Sequence, residues 1–501
     1  MADKSRLRVC TNRHRVFVVS DISNEPDDAE SLVRLLLYGN EFDIQGLVAC
    51  TSTWMRTNVH PEDMERIVEA YAKVVSNLNA HVHLDNQYPS ADYLLPLIKA
   101  GPACYGKEAL LPGVPLSDGA ALLIDRLDAS QRPLWVLSWG GSNVIAQALQ
   151  HLHQTRSESE CAKLREKLRL YTISDQDDTG LWIRVNYPDI FYICSIHAWK
   201  DYGMAAWVGI SGDILFPLDE GGPNITKVTR QWLKENIQIG PLGEVYPDYS
   251  FIMEGDTPTF LYLIQNGLGS PENPHWGSWG GRYALADIGG AAKHYSDTRD
   301  EVVGKNGKTF VTNKATIWRW RDAFQDDFAA RMRWSLTDDR SKANHAPVVM
   351  VNDSTPGPEP LLLDAEAGSE IVLDASKSYD PDDDELSFRW FQYKEPTKSQ
   401  SHVHWHQVPD VDFEPVDERK AGVVVRVKLP LPETCAVDIL TGKALEKGQA
   451  LHLILEVKDS GLPSLTTYKR VVVQITNYAL RDTSEKTYET ITEALGHSVG
   501  R

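Results

Sequence analysis

Cysteine is scarce and scattered in this sequence. Cys10, Cys50, Cys104, Cys161, Cys194 and Cys435 are its only six, and no two form a CxxC pair. That spacing excludes a disulfide framework and a cysteine-built zinc site, and it fits free thiols in a reducing compartment. Long apolar runs are lacking as well. No segment reaches the roughly 18 apolar residues of a membrane-spanning helix. The opening Met1-Ala2-Asp3-Lys4-Ser5-Arg6 leads into a polar, basic stretch without the apolar centre of a secretion signal. The expectation is a soluble, cytoplasmic protein with no membrane partner, or a secreted one if the sequence begins after a removed signal. Basic residues are outnumbered, 51 Lys and Arg against 70 Asp and Glu, for a net charge of -19. Such a balance disfavours sequence-independent binding of nucleic acid and suits a cation or a neutral polar ligand.

What is present is a chain of 501 residues, long enough for two or three domains that need no staple. Residues 15–20, RVFVVS, form a β-branched run of the kind buried in a parallel sheet, and 28–38 follow with helical apolar spacing. A second strand is expected at 44–50, followed by a long helix over 61–78. A third strand at 133–138 meets the turn Trp139-Gly140-Gly141, after which Ser142 is placed to cap a helix over 143–152. A fourth strand, 168–173, runs into Ser174-Asp175-Gln176-Asp177-Asp178-Thr179-Gly180. The alternation predicts an α/β domain, a mostly parallel sheet with helices on both faces, whose ligands sit beyond the carboxyl ends of the strands.

Near residue 340 the character changes. Residues 341–360 are a proline-rich joint containing Asn344-His345-Ala346-Pro347 and Asp353-Ser354-Thr355-Pro356-Gly357-Pro358. Beyond it, 370–373, 386–391, 422–428, 450–458 and 468–476 alternate as half-buried strands. The expected layout is therefore 1–340 α/β, 361–480 a smaller all-β sandwich and 481–501 a tail.

Chemistry concentrates on the first turn. Asp21, Glu25, Asp27 and Asp28 lie within eight positions, and carboxylates that close repel one another unless a cation or protonation relieves them. Oxygen donors without neighbouring Cys or His favour Ca²⁺, with Mg²⁺ the alternative, over zinc. An acidic helix start stabilised by the helix dipole is the plain structural alternative.

Here the chain resembles the nucleoside hydrolases, which carry Asp-x-Asp-Pro-Gly-x-Asp-Asp-Ala on the turn after their first strand. The matching run is Asp21-Ile22-Ser23-Asn24-Glu25-Pro26-Asp27-Asp28-Ala29. The resemblance implies that Asp28 ligates Ca²⁺ and Asp27 binds the sugar. It also departs: Ser23 stands where the family has its metal-ligating base, and a serine is no general base near neutral pH, so Glu25 or Asp21 takes that role or the ordinary reaction is lost. Leu137-Ser138-Trp139-Gly140-Gly141-Ser142-Asn143 is similar to a second family turn and implies the Ser138 carbonyl as a ligand. Glu254-Gly255-Asp256-Thr257-Pro258 is similar to a third and implies Asp256 as the distal ligand. With Asp21, these form the expected metal set; Glu25 and Asp27 are the expected catalytic pair.

Substrate contacts are expected from Asn24, Trp139, Asp177, Asp178 and Trp182. Trp54, Trp276 and Trp279 also lie at turns, where aromatic faces stack on sugars or bases or simply pack. Arg282, in Gly277-Ser278-Trp279-Gly280-Gly281-Arg282-Tyr283, is expected to brace the acidic site or to be an ordinary turn arginine. His402, His404 and His406 would share one face of a strand, either as metal donors or as a solvated face. Asp380, Asp382, Asp383 and Asp384 would hold a second Ca²⁺ or form a solvated acidic turn. Taken together, the motifs resemble proteins described as cellulose-binding, with a nucleoside-hydrolase-like domain followed by a small β domain. The resemblance implies a metal-dependent hydrolase of an N- or O-glycosyl bond, or a non-catalytic carbohydrate-binding protein. Its expected partners are a sugar, a nucleoside-like molecule or an oligosaccharide, and the β domain is the candidate for homo-oligomer formation.

Overall fold

The strand expected at residues 15–20 lies inside an eight-stranded sheet of the computed structural model, which describes residues 4–10, 12–196, 201–215, 217–286, 289–397, 408–438 and 442–480. The strands are β1 (His14–Ser20), β2 (Phe42–Ala49), β3 (Ile98–Ala100), β4 (Leu134–Ser138), β5 (Leu168–Thr172), β6 (Phe191–Cys194), β7 (Tyr283–Leu285) and β8 (His294–Asp297). Their order is β3-β2-β1-β4-β5-β6-β8-β7, and every neighbour pairs parallel except β7 with β8. β1 is buried at six of its seven positions and β4 at all five, as strands covered on both faces must be. The chain runs from β1 outward to β2 and β3, then returns past β1 to β4. That reversal opens a crevice at the carboxyl ends of β1 and β4.

Helices α1 (Pro26–Leu37), α2 (Pro61–Ala72), α3 (Asp118–Asp128), α4 (Asn143–Thr155), α5 (Glu158–Lys167), α6 (Thr179–Asn186) and α7 (Arg321–Trp334) cover the sheet. Phe17 and Val19 of β1 share one core with Leu123 of α3, Ile145 of α4, Leu164 of α5 and Ile183 of α6. α1 begins two residues before its apolar repeat, because Pro26 occupies its first turn without losing a needed N–H. The single helix expected over 61–78 is two: after Ala72, Lys73 and Val74 donate to carbonyls three residues back, and a second helix runs Val75–Ala80. Ser142 does precede α4, but at φ -101° its side chain makes no capping bond. A hairpin, β9 (Asp300–Val303) with β10 (Thr309–Thr312), completes the strands of this unit.

The chain divides into two units, Met1–Ile264 with Gly269–Asn344, and Gln265–Leu268 with His345–Arg501. In the second, β11 (Leu361–Glu366), β12 (Glu370–Asp374), β13 (Ser387–Gln392), β14 (Phe413–Pro415), β15 (Val424–Lys428), β16 (Lys447–Lys458) and β17 (Thr466–Thr476) form two sheets, β11-β17-β16-β13 and β12-β15-β14. All pairs are antiparallel except β11 with β17. Leu373, Val425 and Val427 from one sheet share a core with Leu451, Leu453, Val471 and Val473 from the other. The segment Gln265–Leu268 belongs here because the Asn266 and Gly267 carbonyls accept from the N–H groups of Tyr468 (2.8 Å) and Arg470 (3.1 Å). Asp380, Asp382 and Asp384 converge, but Asp380 accepts from the N–H groups of the other two, and Asp382 accepts from the N–H of His345. His402, His404, His406 and residues 481–501 lie outside the described residues. All six cysteines are free, and among the described residues no helix is long and apolar enough to cross a membrane.

The pairing of β1 with β2 slips by one residue between Val16 and Phe17, which sets the Phe17 ring over Gly46. A Cβ at Gly46 would sit 2.3 Å from that ring. Gly46→Ala is therefore expected to lower stability by about 1–3 kcal/mol in chemical denaturation, as overpacking does, with Phe17→Leu in the same chain recovering part of the loss. An unchanged midpoint would contradict this packing.

Candidate metal and sugar site

The crevice at β1 and β4 is filled by carboxyl groups. Asp21 leaves the end of β1, and Gly140 after β4 lies so close that a Cβ there would meet Asp21 Oδ1 at 2.7 Å. The Trp139 N–H extends the ladder to the Val19 carbonyl at 2.7 Å and seats this turn beside β1. Ser23 sits at φ +81°, exposed, with its hydroxyl on Asp63 of α2. The position that breaks the nucleoside-hydrolase pattern is thus turned out of the crevice. Glu25 precedes α1 in extended backbone, its carboxyl unused for capping, and lines the crevice instead. Asp27 and Asp28 lie in the first turn of α1, and Asp28 accepts from the Ser20 hydroxyl.

Asp256 arrives from the other side on a turn that α1 holds. Glu254 lies in the left-handed region at φ +57°, a conformation that costs energy for a residue with a Cβ. Its N–H donates to Glu30 Oε2 at 2.8 Å, and its carboxylate receives the Arg34 guanidinium at 2.5 Å and the Tyr246 hydroxyl at 3.1 Å. Arg34 is fully buried, donates also to Gln325 and the Phe324 carbonyl, and lies 4.4 Å from the Phe328 ring centre. The Thr257 hydroxyl donates to Ser31 at 3.0 Å. Gly255 allows the final approach, since a Cβ there would meet Asp27 Oδ2 at 2.7 Å. Three turns of one helix face therefore grip the segment, and Asp27, Asp28 and Asp256 offer carboxylate oxygens all within 4.8 Å of one another.

The cavity has a volume of about 230 Å³, and Asp21, Glu25, Asp27, Asp28 and Asp256 all line it. Burial, then mutual repulsion, pushes these acids up: Asp21 to about 6, Asp27 to about 8, Asp28 and Asp256 well above the usual carboxylate range. Glu25 is raised by burial. Asp21 Oδ2 is buried without a hydrogen-bond partner. A set of hard oxygen donors that repel one another in a small cavity fits a divalent cation.

Of the residues expected at the site, Asp21, Asn24, Glu25, Asp27, Asp28, Trp139 and Asp256 line the cavity, as does Trp54, whereas Ser138, Asp177, Asp178, Trp182 and Arg282 do not. The Ser138 carbonyl accepts from the Ile173 N–H at 3.1 Å within the sheet, and its hydroxyl points to the Gly140 and Gly141 carbonyls. Asp177 turns back onto the N–H of Thr179, and Asp178 faces Lys107. Trp182 packs against the core edge-on to Tyr187. Arg282 does not brace the acidic turn; it binds Asp300 at 2.7 Å and is buried there. Trp279 is buried against Phe324, and Trp276 meets His275. From the 174–180 run it is Ser174 and Gln176 that line the cavity, with Tyr202, Trp207 and Phe251, which sequence reasoning missed. These last three lie in short 3₁₀ turns and irregular chain, where no hydrophobic period marks which face they present.

A parallel sheet whose reversal point carries an aspartate cluster reached from a distant turn defines a nucleoside-hydrolase-like protein. Residues 15–283 match the family model described as cellulose-binding Sde182, nucleoside hydrolase-like domain, and residues 370–475 match that of the cellulose-binding protein Sde0182 C-terminal domain. The chain belongs to this family. A solved nucleoside hydrolase-related hypothetical protein from Saccharophagus degradans, described as associated with carbohydrate metabolism, is 30% identical at a TM-score of 0.72, over 93% of this chain and 100% of that one. An inosine-uridine preferring nucleoside hydrolase from Bacillus anthracis is 14% identical at a TM-score of 0.29, over 64% of this chain and 99% of its own. The type III effector XopQ is 14% identical at 0.30, over 65% and 95%. No curated protein matches the chain.

Two outcomes follow from the buried acids. In the unfolded chain they titrate near 4, whereas folding holds Asp21 near 6 and Asp27 near 8. Between these values the folded state binds more protons, so stability without metal falls as the pH rises from about 4 to about 8. In chelator, Tm is expected to drop between about pH 5 and 8, and a divalent cation to restore it, more at the higher pH. A Tm insensitive to both would remove the cluster as a cation site. Arg34→Met, which leaves Glu254 buried and unpaired, is expected to cost about 3–5 kcal/mol and to weaken cation binding; Arg34→Met with Glu254→Gln should recover much of the stability in the same melt.

Proposed function

We propose that the chain hydrolyses a glycosyl bond, N- or O-linked, with a metal ion bound in the acidic crevice. The observation that carries this reading is the convergence of Asp27, Asp28 and Asp256 with Glu25 and Asp21 in one cavity at the reversal of the sheet. Asp28 and Asp256 would hold the ion with Asp21 beside them; many-oxygen coordination by carboxylates favours Ca²⁺, with Mg²⁺ the smaller alternative. Bound there, the ion supplies a grip on sugar hydroxyls and a lowered pKa for a coordinated water. Asp27 takes a hydroxyl of the sugar. Glu25, standing in for the outward Ser23, accepts the proton of the attacking water. The surrounding carboxylates stabilise positive charge developing on the sugar ring as the bond to the leaving group lengthens.

A second reading has its own support. Ser23 offers no base and faces Asp63, and the family is described as cellulose-binding, so a carbohydrate-binding protein without turnover fits the same cavity. The full chain with Ca²⁺ should be assayed against nucleosides and oligosaccharides beside Asp28→Ala and Glu25→Gln. Hydrolysis predicts a loss of about 10²–10⁴-fold in Glu25→Gln with binding retained, and loss of both turnover and Ca²⁺-induced stabilisation in Asp28→Ala. Sugar binding with no turnover on any substrate establishes the second reading.

A further inference from the structure

The cavity is built in two tiers. Its floor is carboxyl groups, buried or half-buried, whereas of all the residues that line it the exposed ones are Trp54, Leu215 and Phe251. These are 54%, 41% and 60% exposed, two of them aliphatic or phenyl and one an indole, and all three line the same cavity as the acids. Single exposed apolar residues are ordinary on a protein surface; three sharing one cavity mark a ligand-binding surface. Trp54 is also held in place. The Ser52 hydroxyl oxygen accepts from the N–H groups of Trp54 (3.1 Å) and Met55 (3.3 Å), the Ser52 N–H donates to the Met55 carbonyl, and the Thr53 N–H donates to the Gln176 carbonyl at 2.7 Å. A backbone turn fixed in this way narrows where the exposed indole can lie, which lowers the cost of ordering it against a flat partner.

Size separates the tiers. At about 230 Å³ the cavity falls below the ~300–1,000 Å³ of pockets that enclose a whole ligand. A space of that size suits about one sugar ring, and a ring joined to it would reach the exposed residues that line the same cavity. Resting on the glycosyl-bond reading above, we propose that Trp54 and Phe251 form a second subsite for a further sugar ring, so that the ligand is a di- or oligosaccharide. A pyranose can lay its C–H face on these rings and keep its hydroxyls in water. A nucleobase would bring ring N–H and C=O groups to a lip where Leu215 and Phe251 offer no hydrogen bond and Trp54 only its indole N–H.

The test is titration calorimetry on the full chain with Ca²⁺, using methyl β-glucoside, cellobiose and inosine as probes, in the wild type, W54A and F251A. Cellobiose is expected to bind more tightly than the methyl glycoside, and each variant to lower the ratio of their affinities by about threefold to tenfold, with melting curves confirming the fold. A ratio unchanged in both variants overturns the second subsite and leaves the glycosyl site standing. Inosine binding more tightly than cellobiose overturns the sugar assignment of the lip. Failure of every probe to bind in the presence of Ca²⁺ overturns the subsite and the proposed function together.

Discussion

The buried pair between Arg34 and Glu254 is the constraint on which the site depends. Asp28 and Asp256 are 228 residues apart in a chain that must bring two acids together against their own repulsion. The pair joins the middle of α1 to the distant turn, Glu30 takes that turn's N–H, and the left-handed backbone of Glu254 is held there by bonds on both sides. A buried ion pair adds little net stability to a fold. Its effect here is geometric, since it fixes where the next two residues, Gly255 and Asp256, must lie.

Charge on the two sides of α1 follows a consistent pattern. Facing the cavity, the acids have no cationic side chain among the lining residues and are pushed up. About two turns further along the helix, Arg34 supplies the cation that Glu254 needs. An arginine within the cavity would neutralise the aspartates and leave them no reason to take up a metal ion. Keeping it about two turns away supports the geometry and leaves the acids underneutralised.

Much of this was legible in the sequence where a strand runs straight into a turn. The parallel strands at 15–20, 133–138 and 168–173 and the acidic turn were readable because buried apolar runs ending in polar turns are local signals, whereas Asp256 was reached through its resemblance to a family turn. Ser138, Asp177, Asp178, Trp182 and Arg282 show where such reading stops. Ser138 ends β4, Trp182 lies within α6, Asp177 and Asp178 precede that helix and Arg282 precedes β7, but where each side chain points is decided by its own partners: the Gly140 and Gly141 carbonyls, Tyr187, Thr179, Lys107 and Asp300. The aromatic lining from 202 to 251 had no periodicity to betray it, and the positive φ that turns Ser23 outward leaves no mark in a serine's identity.

The four residues Gln265–Leu268 carry a different lesson. They precede residues of the first unit in the chain yet serve as acceptors for Tyr468 and Arg470, whose side chains are buried in the second. A domain boundary drawn as one cut near 344 would leave those two N–H groups on β17 without their acceptors. The units are thus woven rather than strung: the chain has three crossings where a linker would have one, and a fragment ending at either side of the proline-rich joint inherits an edge that its own residues cannot finish.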